Sequence, residues 1–158
     1  MNKRFYPENI KPFEYEPDRD RFSIVNDEIK GNGIITLVPF YRGELVFRFT
    51  GEILAHQTLY TLQIRRGAYL HDPYFMGKVL HSCEPNMACD IKNLTFTALR
   101  DIEPEEYLTM DYETTEEVLF RQFVCSCGSE HCRGLIRGYG YRARRPSGAE
   151  LYAEERVL

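Results

Sequence analysis

Three cysteines fall within eight residues, Cys125-Ser-Cys127 and Cys132, on a segment that also carries Gly128. Thiolates crowded on a turn-rich stretch suit a structural zinc, which takes four soft ligands in a tetrahedron at about 2.3 Å. The segment supplies three, so a fourth must come from elsewhere. Cys83 and Cys89 are the candidates, because His131 adjoins Cys132 and would strain the geometry. Disulfides account poorly for these five cysteines. The count is odd, and the N-terminus, MNKRFYPENI, has no apolar signal core, so the expected setting is a reducing intracellular one, the cytosol. A nucleophilic Cys–His dyad also fits badly, since His81 and Cys83 lie two residues apart and the loop would have to bend sharply.

The elements that position these thiols read as mainly β. A chain of 158 residues suits one domain, which could bury about two thirds of its surface. Its 20 Lys+Arg against 24 Asp+Glu argue against a dedicated nucleic-acid binder. No apolar run approaches the roughly 20 residues that span a bilayer. Residues 1–22 read as an extended arm packing through Phe5, Tyr6, Phe13 and Tyr15. From Phe22 to Leu54, short runs such as FSIV, GIITLV and ELVFRF read as strands, with Gly31-Asn32-Gly33 as a tight turn. Residues 56–66 predict a short helix with Leu59, Leu62 and Ile64 on its apolar side, and 93–99 a strand. Thr114-x-x-Glu117 resembles a capping box and predicts a helix over 115–123. Ser147-x-x-Glu150 predicts a last one carrying Leu151, Val157 and Leu158.

Charge is uneven along the chain. Between Asp101 and Phe120 there are eight acids and no Lys or Arg, whereas the run from Arg133 to Arg145 holds five Arg and no acid. The acidic run reads equally well as a rim attracting a lysine-rich peptide or as a solvated loop with an acid-rich first helical turn. The arginine run reads as a solvated tail.

Three stretches together resemble one family, the SET-domain protein-lysine methyltransferases. His81-Ser82-Cys83-Glu84-Pro85-Asn86 is similar to its HSCxPN signature, and Glu105-Glu106-Tyr107-Leu108-Thr109-Met110-Asp111-Tyr112 to its GEELTFDY motif. Cys125-x-Cys127-Gly-Ser-x-x-Cys132-Arg133-Gly134 is similar to its post-SET zinc segment. Upstream, Gly31-Asn32-Gly33 and the span from Gly43-Glu44 to Gly51-Glu52 match in order and spacing, so the resemblance covers residues 23–137.

The resemblance implies a SET fold of several small sheets with a knot-like core, short helices and a post-SET zinc segment. The divisions would be an arm at 1–22, the SET domain at 23–112, the post-SET helix and zinc segment at 113–137, and a tail at 138–158. It assigns Cys83 as the fourth zinc ligand beside Cys125, Cys127 and Cys132, leaving Cys89 spare. It puts Gly31, Asn32, Gly33, Leu80, His81 and Tyr112 along S-adenosylmethionine, with Tyr112 catalytic and Phe49 and Met110 on the substrate channel. Phe123 or Leu135 would cover the adenine. The implied partner is a lysine-containing protein or peptide, a histone or another basic protein. Leu80 stands where the family usually has Asn, Phe49 where it has Tyr, and Met110 where Phe or Tyr is common. A catalytically silent peptide-binding module is the alternative these departures leave.

Overall fold

A computed structural model describes residues 2–142. The chain runs through twelve short strands: β1 (Phe22–Asp27), β2 (Gly31–Thr36), β3 (Leu45–Arg48), β4 (Glu52–Leu54), β5 (Thr61–Arg65), β6 (Ala68–His71), β7 (Leu80–His81), β8 (Met87–Asp90), β9 (Thr95–Ala98), β10 (Thr109–Met110), β11 (Phe123–Val124) and β12 (Leu135–Ile136). They form five small sheets: β1-β2, β3-β9-β8, β4-β6-β5, a parallel β7-β10 pair, and β11-β12. The only helical turns among the described residues are 3-10 turns at Met76–Lys78, Tyr112–Thr114 and Tyr139–Tyr141. The final helix expected after Ser147 lies outside the described residues.

Sheets this small cannot bury much surface by themselves. A cluster of phenylalanines joins them. Phe47 of β3 packs edge-on against Phe75 at 4.8 Å and stacks on Phe96 of β9 at 4.9 Å, while Phe22 of β1 meets Phe75 at 5.3 Å. All four are essentially sealed from solvent. One aromatic cluster thus joins β1, the β3-β9 sheet and the loop at Phe75, which share no hydrogen-bonded sheet with one another, and such pairs add about 0.5–1.5 kcal/mol each beyond the area they bury.

The N-terminal arm packs through Phe5, Tyr6 and Phe13 as expected, but Tyr15 is half exposed. Tyr6 also makes a polar anchor: its hydroxyl donates to Asp72 Oδ2 at 2.7 Å. Asp72, fully buried, further accepts the N–H groups of Tyr74, Phe75 and Met76 and so shapes the 3-10 turn at Met76–Lys78.

Three expectations are corrected. Gly31-Asn32-Gly33 is not the turn but the start of β2, paired with Asp27, Asn26 and Val25 in that order; the reversal is made by Glu28-Ile29-Lys30, whose Ile29 and Lys30 amides donate to Asp27 Oδ1. Residues 56–66 form no helix. The Thr61 hydroxyl accepts the Thr58 amide and donates to the Thr58 carbonyl in a local turn, and β5 then pairs with β6 across Arg66-Gly67, where Gly67 takes φ +78°. Nor does the chain stay helical after Thr114. The Glu117 amide donates to Gln63 Oε1 and the Leu119 amide to Arg137 O, while Glu116 turns its carboxylate to the Gln63 amide. Distant partners thus take groups that a helix would use internally.

Removing the Tyr6 hydroxyl leaves Asp72 short of a donor inside the core. Tyr6→Phe is therefore expected to cost about 1–3 kcal/mol, read as a lower midpoint in urea unfolding with an unchanged slope.

Candidate active site and metal cluster

Two segments distant in sequence pass each other at the centre of the site. Leu80 pairs with Thr109 and His81 with Met110, and the Ser82 amide donates to Met110 O at 3.0 Å. A pair of two-residue parallel strands is too short to hold itself. Asn86 supplies the missing bonds. Almost wholly buried, it donates from Nδ2 to Tyr107 O at 2.8 Å, receives the Thr109 amide on Oδ1 at 2.9 Å, and gives its own amide to Thr109 Oγ1. The HSCEPN and EEYLTMDY stretches are thereby locked together.

Tyr112 follows directly and is held at both ends. Its amide donates to His81 Nδ1 at 3.1 Å and its hydroxyl to Val79 O at 2.6 Å. Burial, helped by nearby Glu116, pushes the phenol well above its usual range, so it stays protonated. Because His81 Nδ1 accepts, the network assigns the ring proton to Nε2, which faces Cys83 Sγ at 3.5 Å. Burial drives the His81 imidazolium down to about 4, so the ring is neutral.

Tyr112 lines a cavity of ≈330 Å³, a size that suits a small molecule. Gly31, Asn32, Leu80 and Met110 line it as well, and so does Phe123, whose ring lies 6.0 Å from that of Tyr112. Two expected residues stand one layer back. His81 packs between Tyr112 and Phe123, with ring centroids at 5.2 and 5.5 Å. Gly33 lies behind Leu80 and Tyr107, and a Cβ there would come within 2.8 Å of Leu80 Cδ1. Phe49 does not line this cavity; it lies in the core against Phe47 and Phe96, drawn in by the aromatic cluster. Leu80 offers the cavity only an apolar side chain, so a polar contact from that position must come from its backbone.

Within the acidic run, Asp101, Glu103 and Glu105 are exposed, whereas the other carboxylates are engaged within the fold. Asp111 and Glu113 pair with Arg133, Glu117 with Arg66 and Glu106 with Arg100. Glu116 is buried and bonded to Thr115 and to the Gln63 amide. These carboxylates bond to other parts of the protein, and Glu116 also lines the cavity. Arg133 and Arg142 are correspondingly no free tail, since both pair with Glu113. Three contributors lay outside the sequence motifs: the Val79 carbonyl, Glu113 and Arg142. Backbone acceptors carry no side-chain signature. The charge runs, however, were a visible hint of the ion pairs.

Cys83, Cys125, Cys127 and Cys132 bring their Sγ atoms within 4.8 Å of one another, with Cys83 and Cys125 at 3.9 Å. A tetrahedron with bonds of about 2.3 Å has edges near 3.8 Å, so the cluster fits zinc. Donors already point at the sulfurs: the Arg133 amide to Cys83 at 3.4 Å and the Cys127 amide to Cys125 at 3.3 Å. Such N–H groups would stabilise the thiolate charge that a metal requires. His131 faces Glu84 instead. Cys89 lies apart on β8, its thiol pushed up to about 12 by burial.

Comparison with known proteins agrees with this geometry. The SET domain family matches residues 31–113. Histone-lysine N-methyltransferase ATX2 of Arabidopsis thaliana is 26% identical over 78% of this chain, which spans 14% of that protein. Methyltransferase flvH of Aspergillus flavus is 32% identical over 65% of the chain, which spans 60% of it. Among solved structures, KRYPTONITE in complex with mCHH DNA, an H3(1-15) peptide and SAH superposes with a TM-score of 0.59 at 21% identity. That match covers 79% of this chain and 30% of KRYPTONITE.

Metal analysis is expected to find one zinc per chain. Cys→Ser at position 83, 125, 127 or 132 should abolish binding, whereas Cys89→Ser should retain it. Retention after Cys83→Ser would overturn the ligand set.

Proposed function

This chain belongs to the SET domain family, and on that premise we propose that it is a methyltransferase moving methyl groups from S-adenosylmethionine to the ε-amine of a lysine in a protein substrate. The observation that carries the reading is the hydroxyl of Tyr112, held by Val79 O at the wall of an apolar cavity. Lysine as acceptor is further supported by the relatives, one named for histone-lysine methylation and one solved with a histone peptide and SAH.

Bound S-adenosylmethionine would supply an electrophilic methyl on its sulfonium. Gly31, Asn32 and Leu80 at the cavity wall would hold it, backed by Gly33 and His81, with Phe123 closing over it. What the chain must then do is present a neutral amine in line with the methyl and exclude water. A free lysine titrates near about 10.4, so at pH 7 well under 1% is neutral. The apolar wall formed by Leu80, Met110 and Leu119 disfavours the ammonium form. The Tyr112 proton is committed to Val79 O, which leaves the oxygen lone pairs free to accept an amine N–H. Tyr112 therefore acts as a hydrogen-bond acceptor that aims the amine lone pair. It is no base, since burial keeps its phenol protonated. Met110, deep in the wall, would limit how far a methylated amine can turn.

The alternative, a silent SET-like module that binds peptide, is favoured by one feature, the apolar Leu80 side chain on the cavity wall. Calorimetry separates the two, because only the enzyme requires a measurable heat with S-adenosylmethionine.

Tyr112→Phe is expected to lower methyl transfer by about 100-fold while cofactor binding persists, measured with labelled cofactor and by mass spectrometry of candidate basic proteins. Full activity in that variant would remove Tyr112 from the mechanism. The phenol is shifted upward, so its deprotonation lies above the range where the substrate lysine loses its proton. The value of kcat/KM for the protein substrate, which follows the free lysine, should accordingly rise about tenfold per pH unit from 7 to 9. A flat kcat/KM profile over that range would show that the reaction does not draw on the neutral amine.

A further inference from the structure

Two charge runs take no part in the proposed chemistry, and the fold brings them together. Glu113 lies in the 3-10 turn next to Tyr112 with its side chain 4% exposed. Its Oε1 accepts Arg133 Nε at 3.1 Å and lies 2.9 Å from Arg142 Nε. Its Oε2 accepts the amides of Arg137 at 3.2 Å and Gly138 at 2.9 Å. Asp111 Oδ1 adds a bond from Arg133 Nη2 at 2.6 Å. Among the described residues, every donor to the Glu113 carboxylate thus comes from residues 133–142.

This is more than ordinary surface pairing. An exposed ion pair contributes little because water competes for both partners. A buried carboxylate is tolerated only when its oxygens are satisfied, and here that satisfaction depends entirely on one distant segment. Nor is Glu113 capping its own turn, because Asp111 does that by accepting the Glu113 amide at 3.0 Å. Within residues 133–142 lies β12, which pairs with β11, and β11 carries Phe123 to the cavity wall.

We propose that Glu113, seconded by Asp111, is a positioning residue that clamps residues 133–142 against the Tyr112 turn and, through the β11-β12 pair, sets Phe123 as a wall of the cavity, separately from the thiol cluster. Only the consequence for cofactor rests on the methyltransferase reading. The clamp itself does not.

The test uses the full chain, zinc-replete, with Glu113→Gln, which keeps the shape and an acceptor for the backbone amides but removes the charge. Amide hydrogen exchange at Phe123–Val124 and Leu135–Ile136 is expected to quicken by about tenfold, with β8 and β9 unchanged and one zinc still bound. The cofactor KM should rise by about tenfold while kcat changes by less than about threefold. Arg142→Gln removes one arm of the clamp and should act in the same direction but less. Adding it to Glu113→Gln should bring little further change. Unchanged exchange at β11 and β12 in Glu113→Gln overturns the clamp. If that variant unfolds, seen as faster exchange at β8 and β9 too, unchanged exchange in Arg142→Gln overturns it instead. If the wild-type protein binds no cofactor, the methyltransferase reading fails while exchange still decides the clamp.

Discussion

Tyr112 is gripped at both ends by one three-residue stretch, and the rest of the site is arranged around that grip. Its amide is bonded to His81 and its hydroxyl to the carbonyl of Val79. Neither bond is possible unless residues 79–86 and 107–112 pass at a fixed register. That register is set mainly by Asn86, since a two-residue parallel pair offers few ladder bonds. A buried side-chain amide with its donors and acceptors satisfied is a strong device for fixing register, because any slip strands polar groups away from water. The same stretch continues to Cys83. A single turn of chain therefore ties the proposed catalytic tyrosine, the histidine behind it and the metal cluster together.

The surroundings transmit rigidity to this point from two sides. On one, the phenylalanine cluster carries Phe75 and with it the Met76–Lys78 turn, which leads directly into Val79. Asp72, bonded to Tyr6 of the arm, holds the amides of that turn. The arm is thus part of the support for the acceptor of the Tyr112 hydroxyl rather than an appendage. On the other side, β2 backs the cavity, and Gly33 allows it to approach Leu80 and Tyr107 more closely than any side chain would.

Much of this was legible in the sequence, and the failures have a common cause. Linear motifs identified the cysteines that the fold assembles, and also Asn32, Leu80, Met110 and Tyr112 at the cavity, because chemistry demands particular residue types at particular spacings. Strands β1, β2, β3 and β9 were marked by apolar runs between turn residues. The two expected helices were false for a physical reason. Both windows have helix-compatible local patterns, yet Thr61–Arg65 is claimed by a hairpin and the Glu117 and Leu119 amides by Gln63 and Arg137. Local propensity amounts to tenths of a kcal/mol per residue, and buried long-range bonds outweigh it. Phe49 shows a similar limit, since it packs in the core and not on the cavity wall. Its motif position implied the channel, but the aromatic neighbours that draw it inward cannot be seen from spacing alone.

The segment after Val124 shows why such a fold needs fasteners of a different kind. Between Cys125 and Leu135 no residue is fully buried, so there is little apolar area to offset the entropy of ordering this chain. Left to itself, such a stretch would stay mobile, and the wall that Phe123 gives the cavity would move with it. A proposed zinc held partly by Cys83 ties its beginning to the strand behind Tyr112. The Glu113 ion pairs tie its end to the turn containing Tyr112. The two ties differ in physics, one coordinate bonding to sulfur and one buried charge, but both terminate within four residues of the same centre, at His81 or Tyr112. That convergence explains why Asp111 and Glu113 are spent on Arg133 and Arg142: charge that would suit a peptide-attracting rim is used instead to hold the segment beside Tyr112 in place.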